Sequence, residues 1–206
     1  MQTICWNTRN DWMVEISEDG IEWRVPILNA ANAAKFDAHV MPWEPLFSPA
    51  ADRHKVPRCF VAGTIYQESL GDAAARSKDG GLGLMQITAR GLKQGHSDDE
   101  IVNEPALNIE LGTAHLGHIL QSAHDLPATA SMYNAGSPCI LDGGYVPCGT
   151  SKLELPSLRP WSNEAWLRNH RKEKFLSRWG FCCSVGYIDS VVRAANYYLA
   201  RMQANA

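Results

Sequence analysis

Two long segments with apolar residues every three or four positions constrain this chain more than any other feature. In "EPALNIELGTAHLGHILQSAH" the residues Ile109, Gly112, Leu116, Ile119 and Ala123 fall on one stripe. Near the end, "YIDSVVRAANYYLARM" repeats the pattern at Ile188, Val191, Ala195, Tyr198 and Met202. That period is helical, and a helix with such a stripe has to bury it against other elements. Shorter helical signals lie around them. Pro57 suits a first helical turn, Phe60, Val61, Thr64 and Ile65 follow at helical spacing, and Gly71 can end that helix soon after Glu68. "SDDE" at Ser97 to Glu100 has capping-box spacing, and "PATASMYNAG" reads as a short helix closed by Gly136.

Residues 1–55 are patterned differently. "WMVEISEDGIEWRVPIL" has two β-prone runs around "EDG", which predicts a hairpin, and Trp6, Trp12, Trp23 and Trp43 all lie in this region. "MPWEPLFSPAAD" reads as a proline-broken connection docked along the main domain. The expected architecture is therefore mainly α, with a small β-containing N-terminal arm (1–55), a helical domain (56–206) and an insertion at about 137–186. Within the insertion, "NEAWLRNHRKEKFLSRWG" reads as a charged helix whose Trp166, Arg168, Arg171, Lys172 and Lys174 make a solvated face or touch a polymer. At 206 residues and 45% hydrophobic content the chain can build a real core.

A net charge of −3, with no basic stripe, argues against a nucleic-acid partner. No run of eighteen apolar residues predicts membrane insertion. Six cysteines leave two readings open. Cys139 and Cys148 bracket a Gly/Pro loop that a disulfide could close, or all six, including Cys5, Cys59, Cys182 and Cys183, are free thiols. No CxxC pair supports a zinc site. His115 and His118, one turn apart, lack a ligand-spaced acidic or cysteine partner, and with His124 they read as a polar helix face.

The stretch "IYQESLGDAAARSKDGGLGLMQIT" carries the chemistry. Glu68 ends an apolar helix and faces a glycine-rich turn, where burial can raise a carboxyl pKa toward neutrality. A solvated helix-end glutamate has the same local sequence, so the surroundings must decide. Gly80, Gly81 and Gly83 allow close backbone approach, Met85 is an adaptable apolar contact, and Gln86 offers both a donor and an acceptor for sugar groups.

The pattern resembles the soluble lytic transglycosylases, which share an α-helical, lysozyme-like fold with goose-type lysozymes. Glu68-Ser69, Ala75, Ser77 and Gly83-Leu84-Met85-Gln86 match their first motif in register. "NIELGTAHLGHIL" from Asn108, "ASMYNAG" with Tyr133, Asn134 and Gly136, and "YIDSVV" at Tyr187 are similar to the next three, in order. The resemblance covers residues 57 to 200. It implies a peptidoglycan-cleaving enzyme with Glu68 as the single acid/base. Glu68 would protonate the oxygen between N-acetylmuramic acid and N-acetylglucosamine, then deprotonate the muramic 6-hydroxyl as it closes a 1,6-anhydro ring. Ser77, Met85, Gln86, Tyr133 and Tyr187 would line the cleft, and Asn134 would orient the site. The family needs no metal or cofactor, and the expected partner is the glycan strand, with the protein a monomer.

Two other readings are weighed beside it. Hydrolysis normally needs a second carboxylate. Goose-type enzymes carry an aspartate two residues after the motif glutamine, where this chain has Thr88, leaving Asp79 as the substitute. A non-catalytic wall-binding or virion protein would be expected to have lost Glu68, Gln86 or Tyr133, and all are present. The N-terminal "MQTICWNTRNDW" is not patterned as a secretory signal. Action on the wall then fits a bacteriophage enzyme, released by a holin or carried in the particle, with a bacterial enzyme lacking its signal as the alternative.

Overall fold

The computed structural model describes residues 3–7, 12–16, 22–88, 90–123, 126–135, 140–141, 144–145, 174–176 and 182–204. Three short strands open the chain: β1 (Thr3–Asn7), β2 (Trp12–Ile16) and β3 (Glu22–Pro26) form an antiparallel sheet in the order β1-β2-β3. Trp12 faces Pro26 and Ile16 faces Glu22 across the β2–β3 pair. Helices α1 (Ala30–His39), α2 (Glu44–His54) and α3 (Arg58–Ser69) follow, then α4 (Arg90–Lys93), α5 (Asp98–Asn103), α6 (Pro105–Ala123) and α7 (Leu126–Ala135). Two small ribbons, β4 (Ile140–Leu141) with β5 (Gly144–Tyr145) and β6 (Lys174–Leu176) with β7 (Cys182–Ser184), precede the last helix, α8 (Val185–Ala204).

Helix α8 is the axis of the core. From Tyr187 to Tyr198 every residue except Ser190 is buried, so it is enclosed on all sides rather than along one stripe. It packs against α3, α7, α1 and β3. Its polar side chains are used to tie in neighbours. Arg193 pairs with Asp189 at 2.8 Å and donates to the Ile27 carbonyl, and Asn196 donates to the Pro26 carbonyl at 2.7 Å. The core is continuous across residue 55: Ile27, Phe36 and Phe47 are fully buried in the same cluster as Phe60, Ile65, Leu116 and Val191.

Some local expectations meet a different structure. The segment expected as a proline-broken connection is a 3₁₀ turn (Met41–Trp43) followed by helix α2. Pro45 sits in the first turn, where its missing donor has no intrahelical role, and Pro49 removes only one bond further along. The expected charged helix is, at Lys174–Leu176, a strand paired with Cys182–Ser184. The hairpin turn at "EDG", the Cys139–Cys148 disulfide, and Trp166, Arg168, Arg171 and Lys172 lie outside the described residues. Cys59 is buried as a free thiol, and its pKa is pushed up to about 12 by that burial. The Ser97–Glu100 capping box forms as its spacing predicts, and Met202 alone of its stripe is exposed.

Two close approaches position the site. Gly63 on α3 lies so near α8 that an added Cβ would stand 2.5 Å from the Val191 carbonyl oxygen. Asn108, fully buried on α6, accepts from the Met85 amide at 2.8 Å and donates to the Leu82 carbonyl at 2.7 Å. Asn108→Ala leaves the Met85 amide without its acceptor, while the Leu82 carbonyl keeps the Ile87 amide as a donor, so the loss is about 1–3 kcal/mol. Urea unfolding should show that loss. Asn108→Asp, which keeps the acceptor for Met85, should recover part of it.

Candidate active site

Helix α3 delivers Glu68 one residue before its end. The helix stops because Leu70 and Gly71 both take left-handed backbone, φ 54° and 78°. At Gly71 a side chain would overlap the His39 carbonyl, and the Gly71 carbonyl accepts from the Trp43 indole at 2.9 Å. Ser69 then fixes the helix end to the following loop: its hydroxyl donates to the Leu84 carbonyl at 2.9 Å and accepts from the Gly71 amide. The carboxylate beside it is thereby set by backbone on both sides.

The loop over residues 72–88 is held as a small ribbon. Arg76 bridges Leu82, the Ser77 amide donates to Gly81, and the Gly83 amide donates to Ala75. Gly81 is packed between the Ser77 hydroxyl and the Gln86 amide, leaving no room for a Cβ. Both backbone groups of Met85 are engaged by other helices: its N–H by Asn108 of α6, and its carbonyl by the Tyr133 hydroxyl of α7 at 2.7 Å. A loop tied at this many points is preorganised rather than induced.

Against this frame Glu68 meets Tyr187, whose hydroxyl donates to Oε1 at 2.5 Å from the first turn of α8. The Glu68 pKa is raised to about 7. Burial is the main cause, the Tyr187 bond pulls the other way, and the charge of Asp79 adds to the rise. Asp79 itself is exposed and held below its usual range by the Ser77 hydroxyl. Tyr133 is pushed well above the usual phenol range by burial and by the Glu68 charge, so it stays a neutral donor. Near neutral pH the site thus presents a carboxyl poised between acid and base and, at the loop, an ionised carboxylate.

The expected site residues fare unequally. Glu68 and Tyr187 meet directly, and Tyr133 reaches the loop through the Met85 carbonyl. Met85 differs from the expectation of a cleft-lining side chain. It is fully buried, with its sulfur over Gly112 and 3.8 Å from the Thr113 hydroxyl. Its place is the core, because Gly112 opens a slot on α6 that the thioether fills. Gln86 is half-buried in left-handed backbone (φ 50°), and its amide nitrogen donates to the Gly83 carbonyl at 2.9 Å and to Ala75. Only its oxygen is left for a ligand. Ser77 caps the Gly81 amide at 2.7 Å. Asn134 is exposed on the last turn of α7, and among the described residues no bond joins it to Glu68 or the loop. Ser69 and Asn108 carry roles that the sequence reading left unassigned. Asn108 did leave a signal: a short polar residue between Leu107 and Ile109, on the apolar side of its helix.

Among the described residues no group of three or more histidine, cysteine, aspartate or glutamate side chains is arranged to hold a metal ion.

Comparison with known proteins finds relatives for part of the chain. Residues 45–143 match the family described as Transglycosylase SLT domain. The membrane-bound lytic murein transglycosylase E of Buchnera aphidicola is 26% identical over 86 residues, covering 37% of this chain and 39% of that protein. Among solved structures, an inactive mutant of the lytic transglycosylase Slt from Pseudomonas aeruginosa superposes with a TM-score of 0.53 at 19% identity. The 70-kDa soluble lytic transglycosylase from Escherichia coli superposes with a TM-score of 0.51 at 20% identity. Each structural match covers 78% of this chain and 24% of the other. The chain therefore spans well under half the length of these relatives. The fold is lysozyme-like, as in those enzymes, and the match to the transglycosylase SLT domain family extends over residues 45–143, just under half of the chain.

Proposed function

We propose that this protein is a peptidoglycan lytic transglycosylase that cleaves the β-1,4 bond between N-acetylmuramic acid and N-acetylglucosamine and leaves a 1,6-anhydro-muramic end. The observation that carries the reading is Glu68, a half-buried carboxyl whose pKa is raised to about 7, beside the Tyr187 hydroxyl. About half of such a group is protonated at pH 7, so it can give a proton to the glycosidic oxygen and then take one from the 6-hydroxyl. Thr88, where a goose-type lysozyme has aspartate, supplies no carboxylate to activate water. Ser77, Gln86, Tyr133, Asn134 and Tyr187 are proposed to face the strand, Gln86 through its oxygen. Met85 acts from beneath, through its backbone.

One observation favours a second reading, hydrolysis. Asp79 is ionised and close enough for its charge to act on Glu68, and a pair of carboxyls with separated pKa values is how retaining hydrolases divide acid and nucleophile. Product analysis decides between them. Digestion of purified peptidoglycan should release 1,6-anhydro muropeptides by mass spectrometry, and reducing muramic ends would instead establish hydrolysis. Glu68→Gln should lower the rate by about 10²–10⁴-fold, the usual worth of a positioned acid/base.

The pH dependence has a definite sign. Activity needs protonated Glu68, so kcat/KM should fall as pH rises through about 7. Tyr187→Phe removes the bond that favours the ionised form, so its alkaline limb should move to higher pH.

Stability carries a matching signature. The folded pKa of Glu68 lies above its unfolded value, so the folded state binds more protons between about pH 4.5 and 7, and stability falls across that window as pH rises. Above pH 7 the ionised, half-buried carboxylate costs at most about 3 kcal/mol. Thermal melts should show Glu68→Gln little changed at pH 4 and more stable than wild type at pH 8.

A further inference from the structure

The turn that ends α3 is braced from a part of the chain that carries no chemistry of its own. Gly71, three residues after Glu68, presses on the last residue of α1, where a side chain would overlap the His39 carbonyl. The 3₁₀ turn over Met41–Trp43 then brings the Trp43 indole to the Gly71 carbonyl, to which it donates at 2.9 Å. Just before Gly71, Leu70 takes left-handed backbone at φ 54° without being glycine. That conformation is unfavourable for a bulky side chain and persists where neighbours hold it. Three bonds around this exit are local: the Leu70 amide to the Tyr66 carbonyl, the Gly71 amide to the Ser69 hydroxyl, and the Asp72 amide to the Ser69 carbonyl, each at 3.1 Å. The indole bond reaches it from 28 residues away.

Trp43 stands on a firm base. Helix α1 is anchored to α8, where Asp37 accepts from the Tyr197 hydroxyl at 2.7 Å and pairs with Arg201 at 2.9 Å. Phe36 of α1 is fully buried, its ring centroid 5.8 Å from that of Tyr66 and 5.4 Å from that of Tyr197. Tyr66 is two residues before Glu68. The Trp43 amide donates to the Val40 carbonyl at 3.0 Å, and its half-buried ring packs on the core. Helix α8 thus carries Tyr187 and, through α1, the brace of the turn that follows Glu68. The indole N–H is a donor only, and Gly71 already engages it.

Resting on the function proposed above, we propose that Trp43 is a positioning residue for Glu68: its indole N–H fixes the left-handed exit of α3 and so holds the carboxyl at Tyr187. The helix and turn over residues 30–43, ahead of the segment matched to the transglycosylase family, then belong to the catalytic unit.

The change that isolates this bond is Trp43→Phe, which keeps an aromatic ring and removes the donor. Benzothienylalanine at position 43 keeps the indole shape as well, with sulfur in place of the N–H, and serves if the phenylalanine variant does not fold. On soluble peptidoglycan strands kcat should fall about 10–100-fold with KM unchanged, because a small displacement misaligns the acid without touching the substrate. Ser97→Ala, which removes the α5 cap, should lower the melting temperature and leave kcat unchanged. A second readout needs no activity. With the glutamate carboxyls carbon-13 labelled, Glu68 should titrate near 7 in the wild type and lower in either position-43 variant. The sign follows from the larger cause: a loosened helix end admits water, and burial outweighs the Tyr187 bond lost with it. Tyr187, Tyr133 and Asp79, which act on Glu68 from α8, α7 and the loop, are the same in all three proteins. An unchanged kcat, an unchanged Glu68 titration or a rise in KM alone would overturn the proposal, as would a loss of kcat matched by Ser97→Ala. If the wild type cleaved no peptidoglycan, the glycan-cleaving reading would fall, and the Glu68 titration would still decide this one.

Discussion

The site depends on how closely α3 and α8 can approach. Gly63 puts α3 backbone against the Val191 carbonyl, and any side chain there would push the helices apart. Glu68 is five residues further along α3, and Tyr187 is one turn before Val191 on α8. The 2.5 Å bond between them is therefore set by a backbone crossing, not by flexible side chains reaching for each other. Enclosing α8 on every side then fixes its rotation. The ring of neighbours includes residues 26 and 27, which Asn196 and Arg193 hold by their carbonyls. The N-terminal sheet thus leads directly into the packing that orients Tyr187.

The second constraint is the treatment of the loop as part of the core. A glycine-rich turn left to itself would sample many conformations. Here Met85 is clamped at its amide, its carbonyl and its side chain by three different contacts, from Asn108, Tyr133 and Gly112. Ser69 adds a fourth tie next to Glu68 itself. Rigid surroundings are what allow a carboxyl to stay desolvated. A mobile loop would let water reach Glu68, and its pKa would relax toward that of an ordinary glutamate. The stability lost to a buried acid and the preorganisation of the loop are two aspects of one arrangement.

Much of this was legible in the sequence, for reasons that differ by element. The stripes of α6 and α8 are long enough that packing and propensity agree, and the Ser97–Glu100 box states its own hydrogen bonds. Glu68 could be singled out only through its surroundings, the run from Ser69 to Gln86 and the three later segments in order, because a solvated helix-end glutamate has the same local sequence. Met85 was misjudged because a motif fixes a position along the chain but not the direction of a side chain. That direction depended on Gly112, 27 residues later, leaving a slot. For Gln86 the sequence could not show that its left-handed backbone folds the amide nitrogen onto its own loop and leaves the oxygen for a ligand. Helix α2 was obscured by prolines whose cost depends on their place in a turn. The strand at Lys174–Leu176 has helix-compatible composition, and only its partner, Cys182–Ser184, decides otherwise.

In the proposed reaction one group must be both acid and base, and its pKa has to serve both steps. A glutamate at its ordinary value would be almost wholly ionised at neutral pH, a poor donor to the glycosidic oxygen. One buried without relief would hold its proton too tightly to release it as the bond breaks. Burial raises Glu68, and the Tyr187 hydroxyl, donating to the same oxygen, stabilises the anion that forms on proton transfer. The balance near 7 leaves the two protonation states close in energy, so neither half of the cycle carries a large penalty. Asp79 sharpens that balance from outside: its charge makes loss of the Glu68 proton harder, while its exposure to water keeps the effect modest. In that proposal a single carboxyl tuned by a tyrosine would suffice for an intramolecular ring closure, because the nucleophile would be the substrate's own hydroxyl and no second residue would have to hold water.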